Sequence, residues 1–333
     1  MTASTALRPI IVWCHPRSCS TAFERAFIQR QDTRVLHEPL GDPFYFGKER
    51  ACKRYTDEES RQRAPDAWNQ TVESVLRQMV EEAKVGHGDD GRPLKYIFIK
   101  DMAQYIFQAP LLHALHPEAT KLFPAPPTGT DSVKVDIFAD VIENPTALPV
   151  PLLREFTHTF LIRTPEKSVP SYYKCAQEGA SGFDSNWCGS ESGYYELLML
   201  YSYISNPAST FNNPDQALPA PTFRQPQPPP LLSASDLLDN PRAAVKAFCE
   251  AVGVPFEEQM LSWKPEPVEA FRKWDGFHKD AEQSTGFRKE SVSPDNSHDG
   301  PVNRTNGTHE EQKLLPDSVE NAIKWVQETS SSA

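Results

Sequence analysis

The stretch PIIVWCHPRSCSTAFERAF, residues 9–27, decides the fold. PIIVW at 9–13 is a short, continuous apolar run of the kind a parallel strand needs when both its faces are buried. CHPRSCST follows, built of small and polar residues. Then Ala22, Phe23, Ala26 and Phe27 recur at the spacing that puts them on one helical face. The order is strand, small-residue loop, helix. Backbone N–H groups in such a loop converge at a helix N-terminus, where the dipole favours an anion. Ser18, Ser20 and Thr21 add hydroxyl donors, and Arg17 adds a forked cation suited to tetrahedral oxyanions. The spacing GxxxxGK[ST] is absent, so this is not the usual nucleoside-triphosphate loop.

Outward from this segment the same alternation repeats. RVLHEPL (34–40) reads as a second strand stopped by Pro39, and a helix with Trp68, Val72, Val75, Leu76, Met79 and Val80 inward is expected over about 66–84. KYIFIK (95–100) and FTHTFLIR (156–163) return as strands, and LLSAS (231–235) resumes strand character. Asp239 or Asn240 is the expected cap of the next helix, with Pro241 in its first turn, Val245, Phe248, Cys249 and Val252 in its buried stripe, and Gly253 closing it. SVENAIKWVQE near the end reads as a short docking helix. Proline clusters near 123–151 and 206–230 read as insertions in one domain spanning 1–333. Strands alternating with helices imply an α/β fold: three layers, a mostly parallel sheet with helices on both faces. Ligands in such sheets lie at the carboxyl ends of strands. The loop at 15–21, the His37–Glu38 pair and Arg163 all fall there.

The chain has 34 Lys and Arg against 45 Asp and Glu, a net charge of −11, which speaks against nucleic acid as the main partner. Its six cysteines form no CxxC pair, and His15, His113, His116 and His278 show no spacing that makes a ligand set, so no metal is expected. A leader-like N-terminus and membrane-length apolar runs are missing from the pattern, and a cytoplasmic protein with no membrane partner is expected.

The loop HPRSCST resembles the 5′-phosphosulfate-binding loop of the sulfotransferase superfamily, a basic residue followed by S-G-[ST]-[ST]. Cys19 stands where that family generally has glycine, which a thiol can replace if φ there is negative. FLIRTPEKSVPSYYK resembles the family's second element, a strand ending in arginine with a serine eight residues on. Arg163 and Ser171 have that spacing. HPRSCSTAFERAF, VLHEPLGDPFYFG, FIKDMA, THTFLIR and LLSASDLLDNPRAAVKAFCEAVGVPF together resemble bacterial and fungal sulfotransferase-like proteins over most of 8–290, and GFRKE (286–290) is similar to their FRKG element, with Glu290 for glycine.

The resemblance implies a P-loop-like sulfotransferase fold and a transferase that moves a sulfuryl group from 3′-phosphoadenosine 5′-phosphosulfate (PAPS) to a hydroxyl or amine of a small-molecule acceptor, leaving PAP. Arg17, Ser18, Cys19, Ser20 and Thr21 are then expected on the phosphosulfate, and Arg163 with Ser171 on the 3′-phosphate. Arg17 and Lys100 are expected to assist transfer, with Asp101 orienting one of them. Glu38 is the favoured general base and His37 the alternative. Pro39 restricts Glu38 to extended geometry, and strand alternation then aims the two at opposite faces, so only one enters the site. Phe44, Tyr45, Phe46, Tyr105 and Trp187 are either acceptor pocket or core. Two rival functions stay open: a phosphotransferase using ATP, which has no 3′-phosphate for Arg163 and Ser171, and a catalytically silent nucleotide-binding homologue.

Overall fold

Five strands, β1 (Arg8–Cys14), β2 (Thr33–His37), β3 (Tyr96–Met102), β4 (Thr157–Ile162) and β5 (Leu231–Ser233), form one sheet in the order β2-β3-β1-β4-β5, every pair parallel. They come from a computed structural model that describes residues 6–88, 91–126, 141–179, 187–214, 218, 221 and 223–287. The helices are α1 (Ser20–Ile28), α2 (Gly41–Phe46), α3 (Asp57–Arg63), α4 (Val72–Ala83), α5 (Ala109–Leu115), α6 (Val150–Leu153), α7 (Pro165–Gln177), α8 (Tyr194–Ser205), α9 (Ala234–Asp239), α10 (Pro241–Val252) and α11 (Lys279–Gln283). No helix among the described residues is long and apolar enough to cross a membrane.

The expected α/β architecture is present. Six consecutive residues of β1 and six of β3 are buried, so both faces of the sheet are covered. From β1 the chain runs to one side through β2 and β3, then to the other through β4 and β5. The carboxyl end of β1 therefore sits where the strand order reverses, the place open α/β sheets use for ligands.

Register decides what each face carries. Ile10 is level with Phe98, Val12 with Lys100, and His37 with Lys100, so these side chains share one face. On that face Phe23 and Phe27 of α1 pack against Phe98 and against Phe248 of α10, with Phe27 stacked on Phe98 at 3.8 Å between centroids. Truncating Phe27 to alanine would cost about 3–5 kcal/mol. On the other face Trp13 Nε1 donates to His158 Nδ1 at 2.8 Å, and His158 Nε2 meets Leu153 O at 2.8 Å. Burial lowers the His158 pKa to about 4, which keeps the ring neutral with Nδ1 as acceptor.

Local chemistry explains where the expected boundaries moved. The helix expected over 66–84 is a 3-10 turn at Pro65–Ala67 followed by α4, because Thr71 and Ser74 form a reciprocal cap that starts the helix at Val72. LLSAS stops being strand at Ser233, whose hydroxyl caps α9 by accepting from Ser235 N. Asn240, Pro241 and Gly253 delimit α10 as expected; Gly253 adopts φ 67°, a conformation glycine takes without cost. β2 ends at His37, three residues short of the expected strand. The C-terminal docking helix, Glu290, residues 127–140 of the first proline-rich insertion and a smaller part of the second lie outside the described residues.

Candidate functional site

Arg17, Cys19 and Glu38 are the non-glycine residues with positive φ among the described residues, at 61°, 66° and 43°. All three stand just past the carboxyl ends of β1 and β2. Left-handed backbone costs about 1–3 kcal/mol per such residue, and folds tend to retain that strain where function needs the geometry. Cys19 is the N-cap of α1 at positive φ, so the negative φ under which a thiol replaces glycine without cost is not met. Glu38 is likewise not extended. Its turn breaks the alternation of β2 and swings its carboxylate to the face that His37 already occupies, so both reach the same cluster instead of one.

The loop after β1 gathers the second element around it. Arg163 Nη1 donates to Arg17 O at 3.1 Å, and Arg17 Nε donates to Ser171 Oγ at 2.9 Å. Arg17, Arg163 and Ser171 thus converge, although α7 and β1 lie about 150 residues apart in the chain. Arg163 N donates to His15 Nε2 at 2.9 Å, and His15 Nδ1 lies 3.0 Å from Pro16 O. Burial lowers the His15 pKa to about 4, so the ring stays neutral and Nε2 can accept. Tyr194 donates to Arg163 O at 2.6 Å, which fixes the strand end from α8. Ser18 Oγ is fully buried and has no hydrogen-bond partner. A buried hydroxyl in that state costs about 1–3 kcal/mol, so it favours an acceptor that completes the loop.

A tail that the sequence did not announce closes over this loop. Arg17 donates to Phe277 O and reaches Asp280 Oδ2 at 3.3 Å, the latter 90 % exposed. That contact is worth about 0–1 kcal/mol and yields readily to a stronger anion. Thr21 Oγ1 lies 3.0 Å from His278 Nδ1, and His278 Nε2 lies 3.2 Å from His37 Nε2. His37 Nδ1 meets Glu24 Oε2 at 2.8 Å. Lys100 donates to Glu38 and sits 3.8 Å from Glu24 Oε2. Lys273 donates to Glu38 O at 2.7 Å and pairs with Asp42 at 3.0 Å.

The electrostatics follow from burial. Glu24 is pushed up to about 7 by desolvation, against the pull of Lys100. Burial disfavours the Lys100 ammonium, yet Glu38 and Glu24 outweigh it and raise its pKa. His37 and His278 are both held well below the usual imidazole range, by burial first and then by the Lys100 charge, so both are neutral at pH 7. Asp101 does not orient Arg17 or Lys100: its carboxylate accepts from Leu40 N at 2.8 Å and Met102 N at 2.9 Å, holding the turn after Glu38.

His37, Glu38 and His278 bring three donor atoms within 4.8 Å of one another. Lys100 already holds Glu38 and supplies a positive charge there, which a cation among these three would have to face. Phe44, Tyr45, Phe46 and Tyr105 pack among themselves and against Trp274 as core; Trp187 is half-buried against Tyr172 and Tyr173. Sequence reasoning missed Glu24, His278 and Lys273. Glu24 carried a signal: with Ser20 and Phe27 on one side of α1, it is a carboxylate on a buried helical stripe. His278 and Lys273 carried none, since tertiary docking alone brings them in.

No family model matches this chain. Two Arabidopsis thaliana relatives, branched-chain-amino-acid aminotransferase-like proteins 2 and 1, are each 24 % identical over 86 % and 85 % of the chain respectively. The chain spans 37 % of the length of each. Among solved structures, the sulfotransferase domain from the curacin biosynthetic pathway is 15 % identical, with 98 % of this chain and 99 % of that one covered at a TM-score of 0.38. The sulfotransferase domain from the Synechococcus PCC 7002 olefin synthase is 14 % identical, with 98 % and 96 % covered at 0.34. Superpositions this loose leave the chemistry to be argued from the site itself.

Proposed function

We propose that this chain is a PAPS-dependent sulfotransferase acting on a hydroxyl or amine of a small molecule. The observation that supports it is the meeting of Arg17, Arg163 and Ser171 over a strained loop whose Ser18 hydroxyl is buried without a partner. Two arginines and two serines, gathered from the loop after β1, the end of β4 and helix α7, suit a ligand with separate phosphate groups better than a single anion. The fit is good: Ser18 offers a donor without an acceptor, and the Arg17–Asp280 contact is weak enough to exchange.

Bound PAPS supplies an activated sulfuryl group and a 3′-phosphate. Arg163 and Ser171 hold the 3′-phosphate; Arg17, with Ser18, Cys19, Ser20 and Thr21 around it, holds the 5′ end and meets charge developing on the departing oxygen. Lys100 keeps the Glu38 carboxylate in place. Glu38 and His37 lie side by side as the two groups to which the acceptor's proton passes, directly or through a relay. The name aminotransferase-like belongs to proteins of which this chain spans 37 %; Lys100 is unsuited to Schiff-base chemistry, since it is buried between two carboxylates and its pKa is raised, the opposite of what a nucleophilic amine requires.

Calorimetric titration with PAP, ATP and AMP tests the reading. PAP should bind more tightly than AMP, and Arg163→Ala should weaken PAP about 10–100-fold, the loss of one charged hydrogen-bond partner, while barely changing AMP. Equal losses for both nucleotides, or a preference for ATP over PAP, would sink it. Single-turnover transfer with Glu38→Gln and His37→Gln then shows which of the two takes the proton.

A further inference from the structure

Four side chains form an unbroken line from the anion loop into the core: Thr21 Oγ1 to His278 Nδ1 at 3.0 Å, His278 Nε2 to His37 Nε2 at 3.2 Å, and His37 Nδ1 to Glu24 Oε2 at 2.8 Å. They come from α1, the tail after Trp274, the end of β2 and α1 again, so tertiary packing and not one local motif assembles the line. His37, Glu24 and His278 are all buried. Each imidazole is met at both nitrogens, so each must donate through one and accept through the other. With Glu24 ionised, one consistent arrangement exists: His37 Nδ1–H donates to Glu24, His278 Nε2–H donates to His37, and Thr21 O–H donates to His278. With Glu24 protonated, the whole line can run in reverse.

From this geometry we infer that Thr21, His278, His37 and Glu24 are a proton wire that carries the proton released at the anion loop to Glu24, the buried store at its end. The inference rests on the sulfotransferase reading for the source of the proton. As the acceptor's oxygen or nitrogen forms its bond to sulfur, its proton passes to Thr21 Oγ1 and the Thr21 proton moves to His278 Nδ1. The His278 Nε2 proton then moves to His37 Nε2, and the His37 Nδ1 proton to Glu24 Oε2. One proton leaves the acceptor and one arrives at Glu24; both imidazoles end neutral, as the other tautomer. Running the line backwards after product release restores the first state.

The surroundings suit the task. Glu24 faces Lys100 and His37, and its Oε1 is buried with no partner, which leaves room for the carboxyl to alternate between forms. Its pKa of about 7 makes uptake and release both accessible near neutrality. His37 faces Glu24, Glu38, Lys100, Lys273 and His278; His278 faces Thr21, Arg17, Lys100 and His37. The cations among these disfavour a stable imidazolium, so a proton entering either ring is passed along and not trapped. Glu38 is already engaged by Lys100, which leaves His37 as the route inward.

The test begins with the apo protein, where no cofactor reading is needed. Nitrogen-15 spectra at pH 8.5 should show His37 protonated at Nδ1 and His278 at Nε2, and infrared difference spectra should show a carboxyl titrating near pH 7 that is missing in Glu24→Gln, while the Asp101 carboxyl, which burial raises to about 8, stays in both. His37 protonated at Nε2 at pH 8.5, or the band titrating near pH 7 unchanged in Glu24→Gln, would overturn the wire whatever the chain catalyses. In single-turnover transfer from PAPS, Glu24→Gln and Thr21→Val should each slow the reaction by about 10–100-fold, Glu24→Gln with PAP affinity within twofold of wild type, and the double variant should be no slower than the worse single one. Glu24→Gln should also lose the limb of the pH–rate profile near 7. If wild type does not bind PAP, the sulfotransferase reading fails while the spectra still decide the wire. If zinc ions shift both histidine signals and raise the melting temperature, the pair is a metal site and the wire is wrong.

Discussion

Replacing Lys100 with methionine separates a structural charge pair from a mere contact. The ammonium is 1 % exposed, bonded to Glu38 and 3.8 Å from Glu24, both carboxylates buried. Methionine fills the space but leaves two buried carboxylates without their cation, a change that typically costs about 3–5 kcal/mol. The sign of its pH dependence follows from Glu24, whose folded pKa of about 7 already exceeds its ordinary value of 4.5. A raised carboxyl pKa means that the folded state binds the proton more tightly, so stability is greatest below the unfolded value and declines as pH rises toward and past the folded one. Without Lys100 that rise steepens. The deficit relative to wild type should therefore be full at pH 8 and less than half as large at pH 5.5, where a proton replaces the missing cation. Urea unfolding of both proteins at the two pH values measures it. A deficit below about 1 kcal/mol at pH 8, or one that does not shrink on acidification, would refute the argument.

Three further outcomes are expected. His15 and His158, at about 4, and His37 and His278, well below the usual range, are neutral in the fold and take up protons when it opens; wild type should lose stability as pH falls below 6.5, with more than one proton taken up on unfolding at pH 5.5, as urea unfolding against pH reads out. Ser18→Ala removes a buried hydroxyl that nothing satisfies, so the apo protein should gain about 1 kcal/mol in thermal or urea unfolding while PAP affinity drops; a loss of stability would mean that the hydroxyl is satisfied. At position 19, glycine should be more stable than alanine by about 1 kcal/mol, because the backbone stands at φ 66°; the reverse order in urea would remove the strain.

The parts of the fold written in local pattern were legible. β1, its loop and α1 read correctly because an apolar run, small polar residues and a helical stripe follow one another within 20 residues, and α10 did because Asn240, Pro241 and Gly253 each have one structural meaning there. The end of β2 was misread because Pro39 favours an extended neighbour, whereas the pull of Lys100, the bond that Lys273 donates to Glu38 O and the bond that Leu40 N donates to Asp101 hold Glu38 in a left-handed turn. The wire was illegible for a different reason. Its order depends on β2–β3 register and on a polar tail whose docking leaves no periodicity in the chain.

The strand order has a consequence for how the protein is made. β1 is made before both its neighbours, and Trp13 waits for His158, 145 residues further on. At 5–20 residues per second this is a delay of roughly 7–30 s. Until β3 is made at Tyr96–Met102, IIVW has no partner on either side, and its β4 edge stays open for the rest of the delay. Non-local parallel pairing of this kind folds slowly and exposes sticky edges while it waits. Yield on expression should thus respond to translation rate and to chaperone supply more than to changes on the surface of the finished molecule.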